Sequence, residues 1–232
     1  ESEQWYYGDA NQRQQIAAFE REGVDPGLTL LTGVGANRSR FSKVVDFEGE
    51  IIQRWDIDWY NIWPDAKHLA DEVVPRGKPG THIHGSRLMD NGDVVFNFEN
   101  LGLVRLDACG NTIFRVPYPT HHSIDVDNEG HIWAPGQINH VIPLPEFPKY
   151  FAPFKEDTIV EISDEGEILS EFSIMDLLRD NGYLGLMYLW NPQNSTRKAS
   201  GDVYHLNDVE IFPEHMEEGV FKKGDIMISL RN

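Results

Sequence analysis

The chain has 232 residues and a net charge of −18, which arises from 38 acidic and 20 basic side chains. This acidity argues against nucleic acid as a partner, because phosphate backbones bind basic surfaces. No apolar run approaches the roughly 20 residues that a membrane-spanning helix needs. A single cysteine, Cys109, excludes a disulfide within the chain. With 40% hydrophobic and 11% aromatic residues, the composition is that of a globular protein.

A β-hairpin pattern recurs along the chain. Residues 44–52, 104–113 and 159–169 each place alternating apolar residues on both sides of a turn. The turn glycines of these copies are Gly49, Gly110 and Gly166. Copies that return after roughly 60 residues indicate a repeat architecture rather than unrelated hairpins.

A second hairpin pattern alternates with the first, and each of its copies begins with a histidine. His84 and His122 are both followed by an aliphatic residue at the fourth position and by a glycine at the eighth. His205 keeps the aliphatic residue, Val209, but a longer loop replaces its turn. We therefore treat these three histidines as equivalent positions of one repeat.

Two alternating hairpins in each unit predict the four-stranded blades of a β-propeller, in an all-β protein. A β-sandwich is the alternative, but it has no reason to repeat a histidine at a fixed offset. We assign residues 1–27 to an N-terminal lead-in, with weak helical character over 12–22, and residues 28–232 to a partial propeller of about three and a half blades. We expect another chain or a C-terminal segment to complete the ring, because a propeller must cover its sheet edges.

The repeated histidines are predicted to converge at one mouth of the propeller channel, which the first strand of each blade lines. Residues 203–212 and 224–232 read as two strands, and antiparallel pairing would place His205 beside Arg231. An imidazole beside a guanidinium suits an oxyanion such as sulfate or phosphate.

Several other kinds of site are considered or excluded. The chain has no phosphate-binding Walker loop, no dinucleotide glycine pattern and no serine nucleophile elbow. His82 and His84 share one face of a strand, so a metal site completed by Asp125 or Asp208 is an alternative, although no spacing requires it. We expect no metal and no cofactor.

Residues 135–157 are rich in proline and aromatic residues, which predicts a loop. This loop either walls an aromatic pocket or packs under a blade edge.

Three parts of the chain resemble the bacterial aryl-sulfate sulfotransferase family, whose members are PAPS-independent enzymes on a six-bladed propeller. These parts are residues 205–209 with 226–231, residues 120–126 with Gly130, and residues 27–31 followed by 45–51. The resemblance covers most of the chain from about residue 27 onward.

The resemblance implies transfer of a sulfuryl group from an aryl sulfate to a phenolic acceptor, through a sulfohistidine. It implies that the sulfuryl oxygens and the leaving phenoxide are held by His122, His205 and Arg231. We also expect substrate contacts from His84, His121 and Asn207. The family pattern places the nucleophilic histidine beyond residue 232, and family habit implies a periplasmic or secreted location.

A second function remains open at this point. Ser123 stands where the family motif often has aspartate, and no residue of this sequence matches the nucleophile. The alternative is therefore a non-catalytic β-propeller that binds an anionic or aromatic ligand or a protein partner. A metal-dependent hydrolase or lyase on the same scaffold is a third possibility.

Overall fold

The computed structural model describes residues 26–35, 38–188 and 199–231. The helical character predicted for residues 12–22 lies outside these ranges. The chain divides into two compact units, Glu1–Ile83 with Ala108–Gly110 and His84–Asp107 with Asn111–Asn232. The described part of each unit is built mainly from antiparallel β-sheet, so the prediction of an all-β protein is confirmed.

The first unit contains one antiparallel sheet, in which the strands follow chain order. Its strands are β1 (Thr29–Val34), β2 (Arg40–Val45) and β3 (Ile51–Ile57). A single-turn helix, α1 (Trp59–Ile62), follows, and the Asp58 carboxylate caps it by accepting a hydrogen bond from the Tyr60 N–H. Val44, Trp55 and Trp59 are buried and form part of the core.

The second unit contains two sheets in which four consecutive strands lie side by side. The first sheet consists of β4 (Ile83–Leu88), β5 (Val94–Phe98), β6 (Gly102–Leu106) and β7 (Thr112–Val116). The second consists of β8 (Asp125–Val126), β9 (Ile132–His140), β10 (Tyr150–Ile162) and β11 (Ile168–Ser173). A short strand, β12 (Ala199–Asp202), pairs in parallel with β10. The last two strands, β13 (Leu206–Ile211) and β14 (Ile226–Leu230), form an antiparallel pair.

The predicted hairpin repeats are confirmed, and their turns share one backbone geometry. The turn glycines have φ angles between 85° and 90°, and they are Gly49, Gly92, Gly110, Gly130 and Gly166. Glycine adopts this left-handed conformation without the steric cost that a side chain would add. Asp46 and Asp127 occupy the same place in two of these turns, and each carboxylate accepts two backbone N–H bonds. Cys109 is exposed in another of these turns.

A short helix, α2 (Ile174–Asp180), follows β11. The Ser173 hydroxyl caps its first turn by accepting a hydrogen bond from the Asp176 N–H at 3.1 Å. A 3₁₀ helix lies at Leu186–Tyr188. Within the described ranges, no helix has the length and apolar character needed to cross a lipid bilayer.

The prediction of a loop over residues 135–157 is wrong, because β9 and β10 occupy most of that segment and leave only residues 141–149 between them. Proline does not prevent pairing here, although it lacks an N–H donor. Pro135 lies opposite Ile159 in the β9–β10 pair, and its carbonyl oxygen accepts a hydrogen bond from the His121 N–H at 3.0 Å.

The aromatic residues of this segment belong to the core. Of the two predicted roles, a pocket wall or packing against the sheets, the structure shows packing. Phe147, Tyr150 and Phe154 are each no more than 3% exposed. The Tyr150 hydroxyl donates to the Met187 carbonyl oxygen at 2.7 Å and also contacts the Tyr204 hydroxyl. Burial of these rings attaches the β9–β10 hairpin to the elements around β13.

Replacement of Phe154 by alanine should strongly destabilise the protein, because its side chain is 1% exposed. We expect a loss of about 3–5 kcal/mol in the free energy of unfolding, measured by urea denaturation. Phe151→Ala is the matched control on the same strand, since Phe151 is 39% exposed and should lose less than about 1 kcal/mol. Equal losses in the two variants would contradict the assignment of this segment to the core.

Candidate active site

Four histidine rings gather in the second unit, where three different sheets begin. His84 lies in β4, His122 precedes β8 and His205 directly precedes β13. The ring centroid of His122 is 3.9 Å from that of His84 and 4.9 Å from that of His205. The His121 centroid lies 5.0 Å from His122. The prediction that the repeated histidines converge is therefore confirmed.

The backbone around His122 is unusual and closely supported. His122 has a φ of 52°, in the left-handed region that non-glycine residues rarely adopt. The Asn97 side chain donates to the His122 carbonyl oxygen at 3.1 Å and accepts from the Gly85 N–H at 2.9 Å. A Cβ atom on Gly85 would lie 1.7 Å from that same carbonyl oxygen. Only glycine at position 85 therefore allows His84 and His122 to approach each other in this way.

The backbone around His205 is held in a similar manner. His205 has a φ of 49°, and its carbonyl oxygen accepts hydrogen bonds from the Asn207 side chain and from the Arg231 N–H, at 3.1 and 3.2 Å. The predicted adjacency of His205 and Arg231 is thus confirmed, at the end of the β13–β14 pair. Asn207, which we expected to contact substrate, has its amide nitrogen bonded to the protein backbone; its substrate role stays a prediction.

Two carboxylates that the sequence did not suggest lie beside these histidines. Asp202 Oδ2 is hydrogen-bonded to His205 Nδ1, so the His205 Nε2 atom is kept for another partner. Asp157 Oδ1 lies 3.6 Å from His121 Nε2, and Asp157 is fully buried. The spacing of Asp202 and His205 was a weak local signal, whereas Asp157 is the last residue of the segment predicted as a loop.

Ser123 and Asp125 connect the strands that carry the histidines. The Ser123 hydroxyl accepts from the Val209 N–H at 3.0 Å, and Asp125 Oδ2 accepts from the Ile211 N–H at 2.9 Å. Asp125 Oδ1 also lies 3.5 Å from the Arg87 guanidinium. Ser123 therefore has a structural role in joining the segment around β8 to β13.

The pKa of His122 is lowered from 6.5 to about 3, first by burial of the ring. Repulsion from His84, His121 and His205, and then from Arg231, adds to this effect. His122 is consequently a neutral imidazole near pH 7, with one nitrogen that donates and one that accepts a hydrogen bond. A neutral ring beside an arginine can bind an oxyanion without adding a second buried positive charge.

A possible metal cluster lies at a hairpin turn of the second unit. Ligand atoms of Asp127, His131 and Glu161 are within 4.8 Å of one another. His131 Nδ1 is hydrogen-bonded to Glu161 Oε1 at 2.9 Å, and Asp127 accepts the backbone bonds of its turn. The same turn bonding at Asp46 in the first unit shows that this arrangement needs no metal to explain it.

Comparison with known proteins gives one informative match. Residues 85–232 match the family described as Arylsulfotransferase (ASST). No curated protein matches the chain. Among solved structures, the chain is similar to a protein of unknown function from Bacteroides caccae, with 14% identity and a TM-score of 0.29, over 63% of each chain. The segment matched by the family begins one residue after His84 and includes the other histidines and Arg231.

The neutral state of His122 can be tested by NMR. Because its folded pKa is about 3, the His122 ring signal should not shift between about pH 8 and pH 5. The same signal in urea should titrate near the ordinary value of 6.5. The unfolded state then binds this proton more readily, so His122 contributes to a fall in stability as the pH drops from 6.5 towards 3. A His122→Gln variant identifies the signal, and titration near pH 6.5 in the folded protein would refute the assignment.

Proposed function

Because the chain belongs to the arylsulfotransferase family, we propose that it acts in transfer of a sulfuryl group from an aryl sulfate to a phenolic acceptor. The observation that carries this proposal is the convergence of His84, His122 and His205 at the strand pair that holds Arg231. These groups come from three sheets and meet at one place, as a site for a small anion requires.

We further propose that the sheets are blades of a β-propeller. The β4–β7 and β8–β11 sheets are then two consecutive blades, and β13–β14 is the inner pair of a third. The shared turn geometry and the equivalent positions of the three histidines support this arrangement. The active site lies where the first strands of the blades begin.

The sulfuryl oxygens are bound by donors of fixed orientation. Arg231 presents paired N–H groups to two oxygens, in the planar geometry that suits sulfate esters. Asp202 orients the His205 ring through its bond to Nδ1, and the His205 Nε2 atom is directed to a third sulfuryl oxygen. These donors stabilise the charge that develops on the sulfuryl group and on the departing phenoxide.

The transfer passes through a sulfohistidine. An imidazole nitrogen forms the N–S bond as the S–O bond to the phenoxide breaks, and the acceptor phenol later reverses this exchange. We place the nucleophile on a histidine beyond residue 232, on the family resemblance. His122 lies at the centre of the cluster and supplies the hydrogen bond or proton that the phenoxide needs. A periplasmic or secreted location is also proposed.

The test is release of 4-nitrophenol from 4-nitrophenyl sulfate by the full-length protein, with phenol as acceptor and EDTA present. His205→Ala and Arg231→Ala should each lower kcat/KM by about 100- to 1000-fold, the range seen when an oxyanion donor is removed. Arg179→Ala is the control, because Arg179 pairs with carboxylates on the exposed side of α2 and should retain activity.

Other outcomes identify the competing functions. Unchanged activity in both alanine variants would contradict the proposed site. If the wild-type protein binds the ester in calorimetry but never releases phenol, and Arg231→Ala abolishes binding, the protein is a non-catalytic anion-binding propeller. Activity that EDTA removes and Zn²⁺ or Mn²⁺ restores would indicate a metal-dependent reaction instead.

A further inference from the structure

Asp157 is a fully buried carboxylate, and neither of its oxygens has a hydrogen-bond partner within the described ranges. His121 Nε2 lies 3.6 Å from Asp157 Oδ1. An isolated buried carboxylate is strongly unfavourable, so it requires either a proton or a positively charged neighbour. His121, only 3% exposed, is in the position to be that neighbour.

A second contact continues this arrangement into the site. His121 Nδ1 and His122 Nδ1 are 2.8 Å apart, so one of the two nitrogens carries the proton between them. Asp157, His121 and His122 therefore stand in series. The series begins at a carboxylate with no solvent exposure and ends at the ring that contacts His84 and His205.

One protonation pattern assigns a proton to each contact in the series. If Asp157 is ionised, a charged His121 directs Nε2–H to the carboxylate and Nδ1–H to His122. His122 then accepts at Nδ1 and keeps its own proton on Nε2. This is consistent with a neutral His122, because the positive charge in the series is on His121 beside a buried negative charge.

We propose that Asp157 and His121 are the buried end of a proton relay that delivers its proton through His122. This inference rests on the proposed sulfuryl transfer. Asp157 and His121 are positioning residues, since they act through His122 rather than on the substrate itself.

The proton balance of the relay is complete. As the S–O bond breaks, His122 gives its Nε2 proton to the phenoxide oxygen and takes the proton from His121 Nδ1. His121 becomes neutral and keeps its Nε2–H towards Asp157. When the acceptor phenol attacks sulfur, its hydroxyl proton returns through His122 to His121. While the sulfuryl group is bound to the enzyme, the relay therefore carries one proton fewer than before, and His121 is the ring that lacks it.

The surrounding charges favour this assignment. His84 Nδ1 lies 3.9 Å from Glu99, and Asp202 is bonded to His205, so each of these rings faces a carboxylate of its own. Arg231 adds positive charge near His122. Asp157 is the carboxylate that faces His121.

The first test measures protonation directly and needs no turnover. Imidazole ¹⁵N NMR of the wild-type protein at neutral pH should show both nitrogens of His121 protonated. In Asp157→Asn, which keeps the side-chain shape but removes the charge, His121 should become neutral. Neutral His121 in the wild-type protein would overturn the proposal. Should Asp157→Asn fail to fold, the wild-type spectrum alone decides: a singly protonated His121 ring would overturn the proposal, and a doubly protonated ring would support it.

The second test compares leaving groups in the full-length protein. Phenoxide is a strong base that needs a proton as it leaves, whereas 4-nitrophenoxide is a weak one. Asp157→Asn should lower kcat for phenyl sulfate by about 100-fold and leave kcat for 4-nitrophenyl sulfate within about threefold. A merely structural role would lower both alike, and that result would refute the relay. Glu161→Gln is the matched control, because it also removes a β10 carboxylate that faces a histidine, His131.

The two tests separate failure of the relay from failure of the proposed function. If the wild-type protein hydrolyses and transfers neither ester, sulfuryl transfer is refuted, and the NMR result alone decides whether the buried charge pair exists. If both esters react but the leaving-group difference is absent, the proposed function stands and the relay is rejected.

Discussion

The structure depends on a solution to one electrostatic problem, which is how to hold several bases and an arginine close together. Three of the four clustered histidines face a carboxylate, and the pairs are His84 with Glu99, His121 with Asp157, and His205 with Asp202. His122 lies among these three rings, and its pKa is lowered by burial and by its neighbours. Because the His122 ring is neutral and each of the other three rings faces a carboxylate, Arg231 is the positive charge that remains to bind an anion.

This arrangement also requires an unfavourable backbone. His122 and His205 both have positive φ angles, each of which costs on the order of 1–3 kcal/mol and persists only where neighbours enforce it. Asn97 provides that support at His122, and Asn207 provides it at His205. At these two positions the supporting amide groups thus bond to main-chain carbonyl groups rather than to the imidazole rings.

The sequence revealed the parts of the molecule that follow from local rules. Turn glycines and alternating apolar residues gave the hairpins, and the pairing of two strands correctly placed His205 beside Arg231. Asp157 could not be found in this way, because its meeting with His121 depends on how β10 packs against a distant segment. The prolines near it suggested a loop, although Pro135 pairs within a strand. Asn207 was predicted as a residue of the site, but its hydrogen bond to the His205 carbonyl oxygen depends on the local backbone geometry and could not be predicted.

The two side-chain bonds from Ser123 and Asp125 fix the alignment of β13 to a single residue step. They bind the N–H groups of Val209 and Ile211, which are two positions apart and so lie on the same edge of the strand. A slip of one residue would break both bonds at once and turn every β13 side chain to the opposite face. His205 would then be carried away from His122, so the accuracy of the site depends on two side-chain acceptors that bind the backbone of β13.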